Sequence, residues 1–461
     1  MDEPKKYLRV IFPIETTCFI SFAAPYSLDE EVTIPAGVVL NLYEHPERDK
    51  DYRYEVSVVE NKKWAPFIIS SSMRMDSNFR YGYSFYLSED DYKKKCEAIS
   101  NPASCNESAE LKLYNSIEGS LFGTAVGDAI GLPYEGMSSK RIKKFKPFPL
   151  KHRFFFGKGM LSDDTEHTCI VAHALIFSIE DRKKFSDNLA WSLRWWFLGL
   201  PAGIGMATLK ACMKLWLFIP PNKSGVYSAG NGPAMRSALI GVYAHNDPQL
   251  RKELITINTR ITHTDDKALF GALIIAELAA ANTSGNPITT DNILERLASI
   301  YEGNEELKTI ITSALESARK NQSAAEFCQT IGLKKGVSGY IYHTLPVVIQ
   351  IALRLNDNFE AAISEVIECG GDTDTVAAIV GGIVGANVGL SGIPESWVDN
   401  LSDWPRNKQY LFKLCEELAH VKYKKSNGTT FWIDPIRVWL RNAFFMIWVL
   451  CHGFRRLAPP Y

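Results

Sequence analysis

Beyond Leu111, apolar residues recur at intervals of three and four, most clearly at 169–179, 267–281 and 345–355, and this spacing predicts amphipathic α-helices. Strand-like alternation is scarce there, so residues 111–420 are expected to form an all-α domain. The first hundred residues follow a different pattern. β-Branched and aromatic runs at 7–12, 18–22, 32–42 and 52–59, broken by turn signals such as Pro35-Ala36-Gly37, predict a small β-rich domain. A polar stretch at 88–109, with a lysine run at Lys93 to Lys95, reads as a short helix and linker. The expected fold class is therefore mainly α: a β-rich N-terminal domain and linker (1–110), a helical domain (111–420) and a C-terminal helical extension (421–461) that ends in an aromatic-rich helix.

Two stretches could mimic membrane spans. Residues 376–393 carry no charge and residues 443–451 are strongly apolar. The first is glycine-rich, contains Asn387 and follows two aspartates, and the second is too short to span a bilayer, so both are expected to be buried helices. The 461 residues suffice for two or three domains, with 46% hydrophobic and 22% charged residues, an ordinary globular mixture. A formal charge of -1 argues against bulk attraction to nucleic acid or anionic membrane. Nine scattered cysteines, with no Cys-x-x-Cys pair, suggest neither a disulfide framework nor a thiolate zinc site, and the acidic start Met1-Asp2-Glu3-Pro4 lacks a secretory pattern. A cytoplasmic location is expected.

Three segments carry candidate chemistry. Residues 119–135 read as a helix whose glycines permit close packing, with Asp128 and Glu135 either in core polar contacts or facing a site. Ser162-Asp163-Asp164-Thr165-Glu166 sets hydroxyl and carboxylate oxygens directly before an apolar helix. One such residue would suffice as an N-cap. Adjacent carboxylates repel, and are costly to desolvate together unless a cation or protons compensate. Gly370-Gly371-Asp372-Thr373-Asp374-Thr375 repeats the arrangement before a second apolar helix. Oxygen-only ligands favour Mg²⁺, Mn²⁺ or Ca²⁺ over zinc or copper, and two facing segments would suit a pair of ions with a bridging water.

In this order, the Gly127-Asp128-x-x-Gly131 segment with Glu135, the Ser162 segment and the Asp372 segment resemble the ADP-ribosylglycohydrolase family, which spans dinitrogenase reductase-activating glycohydrolase, the ADP-ribosyl-arginine and -serine hydrolases and the J-type crystallins. The resemblance covers roughly residues 111–420 and implies an all-α orthogonal fold with two Mg²⁺ or Mn²⁺ ions. It implies Ser162, Asp163, Asp164, Asp372, Asp374 and Thr375 as metal ligands, and Glu135, Asp163 and Asp164 as the catalytic set. The 228–236 segment resembles the loop that wraps the diphosphate, with Gly230, Asn231 and Gly232 at its centre; glycines there let backbone N–H groups approach phosphate. His263 matches a histidine lining the cleft, and Tyr340 an aromatic residue near the adenosine end.

The implied function is hydrolysis of the glycosidic bond between ADP-ribose and a protein or other acceptor. Where arginine-specific members carry an acid before an Ile-Gly pair, this chain has Gly203-Ile204-Gly205, so a linkage other than arginine is expected. The N-terminal region lies outside the resemblance. It could position a protein substrate or occlude an ADP-ribosyltransferase, as in an immunity protein, or be a stabilising appendage; a catalytically silent ADP-ribose-binding protein is the remaining alternative.

Overall fold

The computed structural model describes residues 109–145, 148–424 and 433–455, together with six strands within the first 71 residues. Contacts divide the chain into two units, Met1–Glu107 and Ser108–Tyr461. In the first, β1 (Lys6–Arg9), β2 (Ile14–Ser21), β3 (Ser27–Ile34), β4 (Val39–Glu44), β5 (Tyr54–Val58) and β6 (Ile68–Ser71) form one antiparallel sheet in the order β1-β4-β5-β6-β2-β3. The run at 32–42 is thus shared between two strands, and β6 carried too weak a signal to be anticipated. The polar linker expected at 88–109 falls outside the described residues except for Ala109.

The second unit is helical. Its cleft is framed by α1 (Ala109–Gly131), α2 (Asp163–Ser178), α3 (Arg182–Leu198), α4 (Met206–Trp216), α5 (Ile341–Leu355), α6 (Thr373–Val388) and α7 (Pro435–Arg455). Two short strands, β7 (Met137–Ser138) and β8 (Gly370–Gly371), pair antiparallel between the end of α1 and the start of α6. Ile117, Leu121, Phe122, Val126 and Ile130 of α1 are completely buried, as are Val376, Ala377, Ala378 and Ile379 of α6. Full burial of such a larger side chain contributes about 1.5–3 kcal/mol.

These two helices run antiparallel with their backbones in contact. Glycines at every fourth position of α1 make this possible. A Cβ at Gly119, Gly123, Gly127 or Gly131 would lie 2.0, 2.1, 2.1 and 2.4 Å from the carbonyl oxygens of Gly385, Gly381, Ala377 and Thr373. The pairing brings the C-terminal end of α1 against the N-terminal end of α6, where the Thr373 hydroxyl donates to the Gly131 carbonyl at 2.9 Å.

Residues 376–393 lie mainly in buried α6, as expected, and no helix among the described residues is long and apolar enough to cross a membrane. The stretch at 443–451 differs from expectation. It lies within α7, where Arg441, Asn442 and Phe445 face inwards, whereas Ile447, Leu450 and Phe454 are 60%, 52% and 69% exposed. An almost continuous apolar run wraps around the whole helix, and only one side meets the core.

Substituting Gly123→Ala should destabilise the helical unit by about 1–3 kcal/mol or more, because the new methyl meets backbone rather than a movable side chain. Gly453→Ala, where nothing lies within 4 Å, should leave stability unchanged or raise it slightly. Urea unfolding of both variants compares them directly; equal stabilities would refute the close-packed register.

Candidate active site

The N-terminus of α2 separates capping from chemistry. Ser162 is the N-cap in extended conformation, and its Oγ accepts from the Asp164 amide at 3.3 Å. Asp128, wholly buried on α1, ties down the same turn: its Oδ2 accepts from the Ser162 amide at 2.8 Å, the Thr165 amide at 3.3 Å and the Thr165 hydroxyl at 2.5 Å. With both tasks met, the carboxylates of Asp163 and Asp164 are not needed as caps. Glu166 anchors the helix from behind, accepting from Trp196 Nε1 of α3 at 2.6 Å and pairing with Arg406 at 2.7 Å.

The second acidic segment is set by two glycines in the left-handed region. Gly370 has φ +72° and Gly371 φ +90°, and a Cβ on Gly371 would fall 1.9 Å from the Val337 carbonyl. This crossing lets the Gly136 amide donate to Gly371 O at 2.7 Å and pairs Met137 with Gly371, so that Glu135 stands beside the start of α6. Asp372 occupies the N-cap of α6 without capping through its side chain, which instead accepts from Asn231 Nδ2 at 2.8 Å. Asp374 follows in the first turn, and the Thr375 hydroxyl donates to Asp164 Oδ2 at 3.2 Å, joining the two segments.

Charge is concentrated here without a basic counterpart. Among the described residues, no Lys or Arg forms an ion pair with Asp163, Asp164, Asp372 or Asp374. Burial raises Asp163, Asp164 and Asp374 well above the usual carboxylate range; repulsion from Asp163, Asp128 and Asp372 adds to it at Asp164, and from Glu135, Asp372 and Asp164 at Asp374. Burial also raises Asp372, and Asp128 rises to about 6. One oxygen each of Asp128, Asp164 and Asp374 is buried without a hydrogen-bond partner. Protons or cations must offset such a set. Among the described residues, no group of three or more His, Cys, Asp or Glu side chains is arranged to hold a metal ion, although the all-oxygen chemistry and the unpartnered carboxylate oxygens suit hard divalent ions.

A cavity of about 350 Å³ collects Glu135, Ser162, Asp163, Asp372, Asp374 and Thr375, and adds Gly230, Asn231, Gly232 and His263 along another wall. Asp164 does not line the cavity; it is 1% exposed and touches the site through Ser162 and Thr375. Tyr340 is also absent from the lining: its backbone pairs with Gly230, and its hydroxyl accepts from Lys267 Nζ at 3.1 Å. His263 supports the glycine loop, since a Cβ on Gly230 or Gly232 would stand 3.1 or 3.2 Å from its ring. Burial, reinforced by Arg236, pushes its imidazole down to about 3, so the ring is neutral at ordinary pH. Arg236 is itself buried, bonded to Asn258, Thr262 and His167.

Sequence reasoning overlooked part of this site. Leu132, Met206, Thr208 and Gly339 line the cavity, as do Phe445 and Val449 of α7. The one available signal for the last two was their four-residue spacing on an aromatic-rich helix, which any core helix would share.

Comparison with known proteins follows the helical unit. Residues 109–428 match the family model described as ADP-ribosylglycohydrolase. An uncharacterized protein of Archaeoglobus fulgidus is 30% identical, covering 65% of this chain and 94% of its own. ADP-ribosylarginine hydrolase Tri1 of Pseudomonas putida is 25% identical, over 71% of this chain and 86% of its own, and ADP-ribosylhydrolase ARH3 of Gallus gallus is 25% identical, over 65% and 92%.

The electrostatic conflict has a measurable consequence in the presence of chelator. Because burial raises the Asp374 carboxyl, the wild type is relieved of charge at low pH, and it loses that stabilisation as pH rises through the elevated value. Asp374→Asn removes the charge altogether, so its Tm advantage should be small at pH 4.5 and grow to roughly 1–2 °C by pH 8, equivalent to about 1 kcal/mol in a unit spanning Ser108–Tyr461. A difference independent of pH would contradict the assignment.

Proposed function

The chain belongs to the ADP-ribosylglycohydrolase family, and from that premise we propose that it hydrolyses the bond between the anomeric carbon of ADP-ribose and an acceptor, with two Mg²⁺ or Mn²⁺ ions held in the acidic cleft. The relatives named as ADP-ribosyl hydrolases support the hydrolytic reading. The observation that carries it further is the convergence of Glu135, Ser162, Asp163, Asp372, Asp374 and Thr375 on one cavity beside a glycine loop. A protein that only bound ADP-ribose would have no use for so many buried, mutually repelling carboxylates.

In this reading Ser162, Asp163, Asp164, Asp372, Asp374 and Thr375 hold the ions. Bound there, divalent cations supply charge neutralisation and lower the pKa of water. The chain's own groups do the rest. Gly230 and Gly232 keep side chains out of the space between backbone and cavity, which suits a diphosphate, and neutral His263 buttresses that loop. Asn231 bridges the loop to Asp372, so nucleotide binding and the acidic centre share one support. Glu135 and Asp163 line the cavity; there Glu135 orients the attacking water, takes its proton as the new bond to the anomeric carbon forms, and returns it to the acceptor as the glycosidic bond breaks. Binding energy from the nucleotide, remote from the reacting bond, holds the anomeric carbon in place.

Asp163→Ala should lose both Mg²⁺ binding, read by calorimetry, and hydrolysis of ADP-ribosylated substrates, while remaining folded; full activity would refute the mechanism. Glu135→Gln should lower kcat by roughly 10²–10⁴-fold with little change in ADP-ribose affinity, as expected for a group acting on proton transfer. Equal losses in binding and turnover would make Glu135 a binding residue instead.

A further inference from the structure

The formal charge of -1 hides an uneven distribution. Three stretches, 136–162, 188–246 and 435–461, contain no Asp or Glu, and each carries Lys and Arg. The exposed apolar surface follows the same division. Among the described residues, every large apolar side chain exposed to solvent lies in these stretches except Trp404, whose ring packs against Phe444 of α7 with centroids 5.3 Å apart. Singly scattered apolar side chains are ordinary on a protein surface, but their concentration in acid-free segments is not.

The three stretches adjoin. Trp439 Nε1 of α7 donates to Leu198 O at 2.8 Å and Asn442 to Gly199 O at 2.7 Å, which seats α7 beside the end of α3. Trp448 donates to Phe154 O, and its ring meets Phe156 at 5.3 Å. α3 in turn meets α4, where Arg194 Nε donates to Leu215 O at 2.8 Å and Trp216 Nε1 to Arg194 O at 3.1 Å. α7 itself is polar inwards and apolar outwards: Arg441 and Asn442 are buried, whereas Ile436, Leu440, Ile447, Leu450 and Phe454 form an exposed stripe at helical spacing.

Three turns in these stretches hold a bulky apolar residue in the left-handed region. Phe156, at φ +45°, tips a hairpin in which Phe155 and Lys158 exchange backbone hydrogen bonds at 3.1 and 2.8 Å. Leu200, at φ +53°, and Phe218, at φ +59°, follow the C-caps of α3 and α4, a position that glycine commonly fills. Their exposures are 84%, 68% and 84%. Each is thus disfavoured twice, by its backbone conformation and by its contact with water.

We infer that this face is a membrane-binding surface for bilayers with anionic headgroups, entered by the three turn tips and the outer stripe of α7. The inference does not depend on the hydrolase reading. The association is interfacial: the apolar side chains reach the boundary between headgroups and acyl chains, and the exposed rings of Trp191, Trp195 and Trp439 lie at the headgroup level that indoles favour. Charge selects this occupant. Lys140, Lys144, Lys151 and Lys210 are exposed and form no ion pair among the described residues, Arg437 has Asp434 at 3.9 Å, and Lys143 interacts with Glu326 and Glu368. A second copy docked through the same face would bring like charges together, whereas anionic headgroups complement them.

Phe156→Gly, Leu200→Gly and Phe218→Gly, separately and combined, remove the tips while relieving the backbone, so these variants should melt close to the wild type. Ile447→Glu tests the stripe of α7 without touching a turn. The full chain is co-sedimented with vesicles of phosphatidylcholine alone and of phosphatidylcholine mixed with phosphatidylglycerol. The wild type is expected to pellet with the mixed vesicles, to bind phosphatidylcholine alone at least tenfold more weakly and to be released by high salt. The triple glycine variant and Ile447→Glu should each lose at least tenfold in affinity for the mixed vesicles. Failure of the wild type to bind vesicles, equal binding to both kinds, or undiminished binding by the folded variants would each overturn the inference. So would lipid-independent dimerisation in sedimentation velocity that the triple variant abolishes, which would assign the face to a second copy.

Discussion

Everything in the cleft depends on the backbone contact between α1 and α6. Four glycines spaced by four residues remove the side chains from one stripe of α1, and the carbonyls of residues 373, 377, 381 and 385 fill the space. Such a contact has no slack, because neither partner can rotate a side chain out of the way. The helical register is therefore fixed to within a fraction of a residue. That register sets Asp128 and Glu135, at and just beyond the end of α1, against Asp372 and Asp374 at the start of α6.

Upon this frame the fold builds an electrostatic conflict and leaves it open. Two helix N-termini aim acidic residues at the same cavity, and their partial positive ends favour negative charge there without cancelling it. Elsewhere the interior balances its charges: Glu166 is paired with Arg406, and Arg441 with Asp403. At the acidic centre among the described residues no such basic partner is present, and three carboxylate oxygens lack hydrogen bonds altogether. Three unpartnered carboxylate oxygens gathered around one cavity are costly to keep ionised, and the proposed cations would offset that cost.

The buried ion pairs behind the site link this centre to the C-terminal helix. Glu166, two residues from Asp164, reaches α3 through Trp196 and approaches Arg441 of α7, and Arg441 holds the backbone that leads into Ser162. The acidic segment, the Trp-bearing helix and α7 are thus positioned as one assembly. Residues outside the family match thereby take part in shaping the cleft that the matched residues form.

Much of this was legible from the chain. Helical periodicity beyond Leu111, the glycine spacing of α1, and the paired acidic segments each reflect a local requirement, so the sequence alone determined the helical class, the close-packed helix and the identity of the acidic residues. Local chemistry could not apportion the work within Ser162-Asp163-Asp164-Thr165, because any of the oxygens can cap a helix. Tertiary structure decided it by bringing Asp128 from a helix thirty-odd residues away to hold the Ser162 and Thr165 amides. The same holds for Phe445 and Val449. Their spacing says that they face one side of a helix, but which part of the helical unit that helix covers is set by Arg441, Asn442 and Trp448 finding partners 280, 243 and 294 residues earlier, contacts that no local pattern encodes.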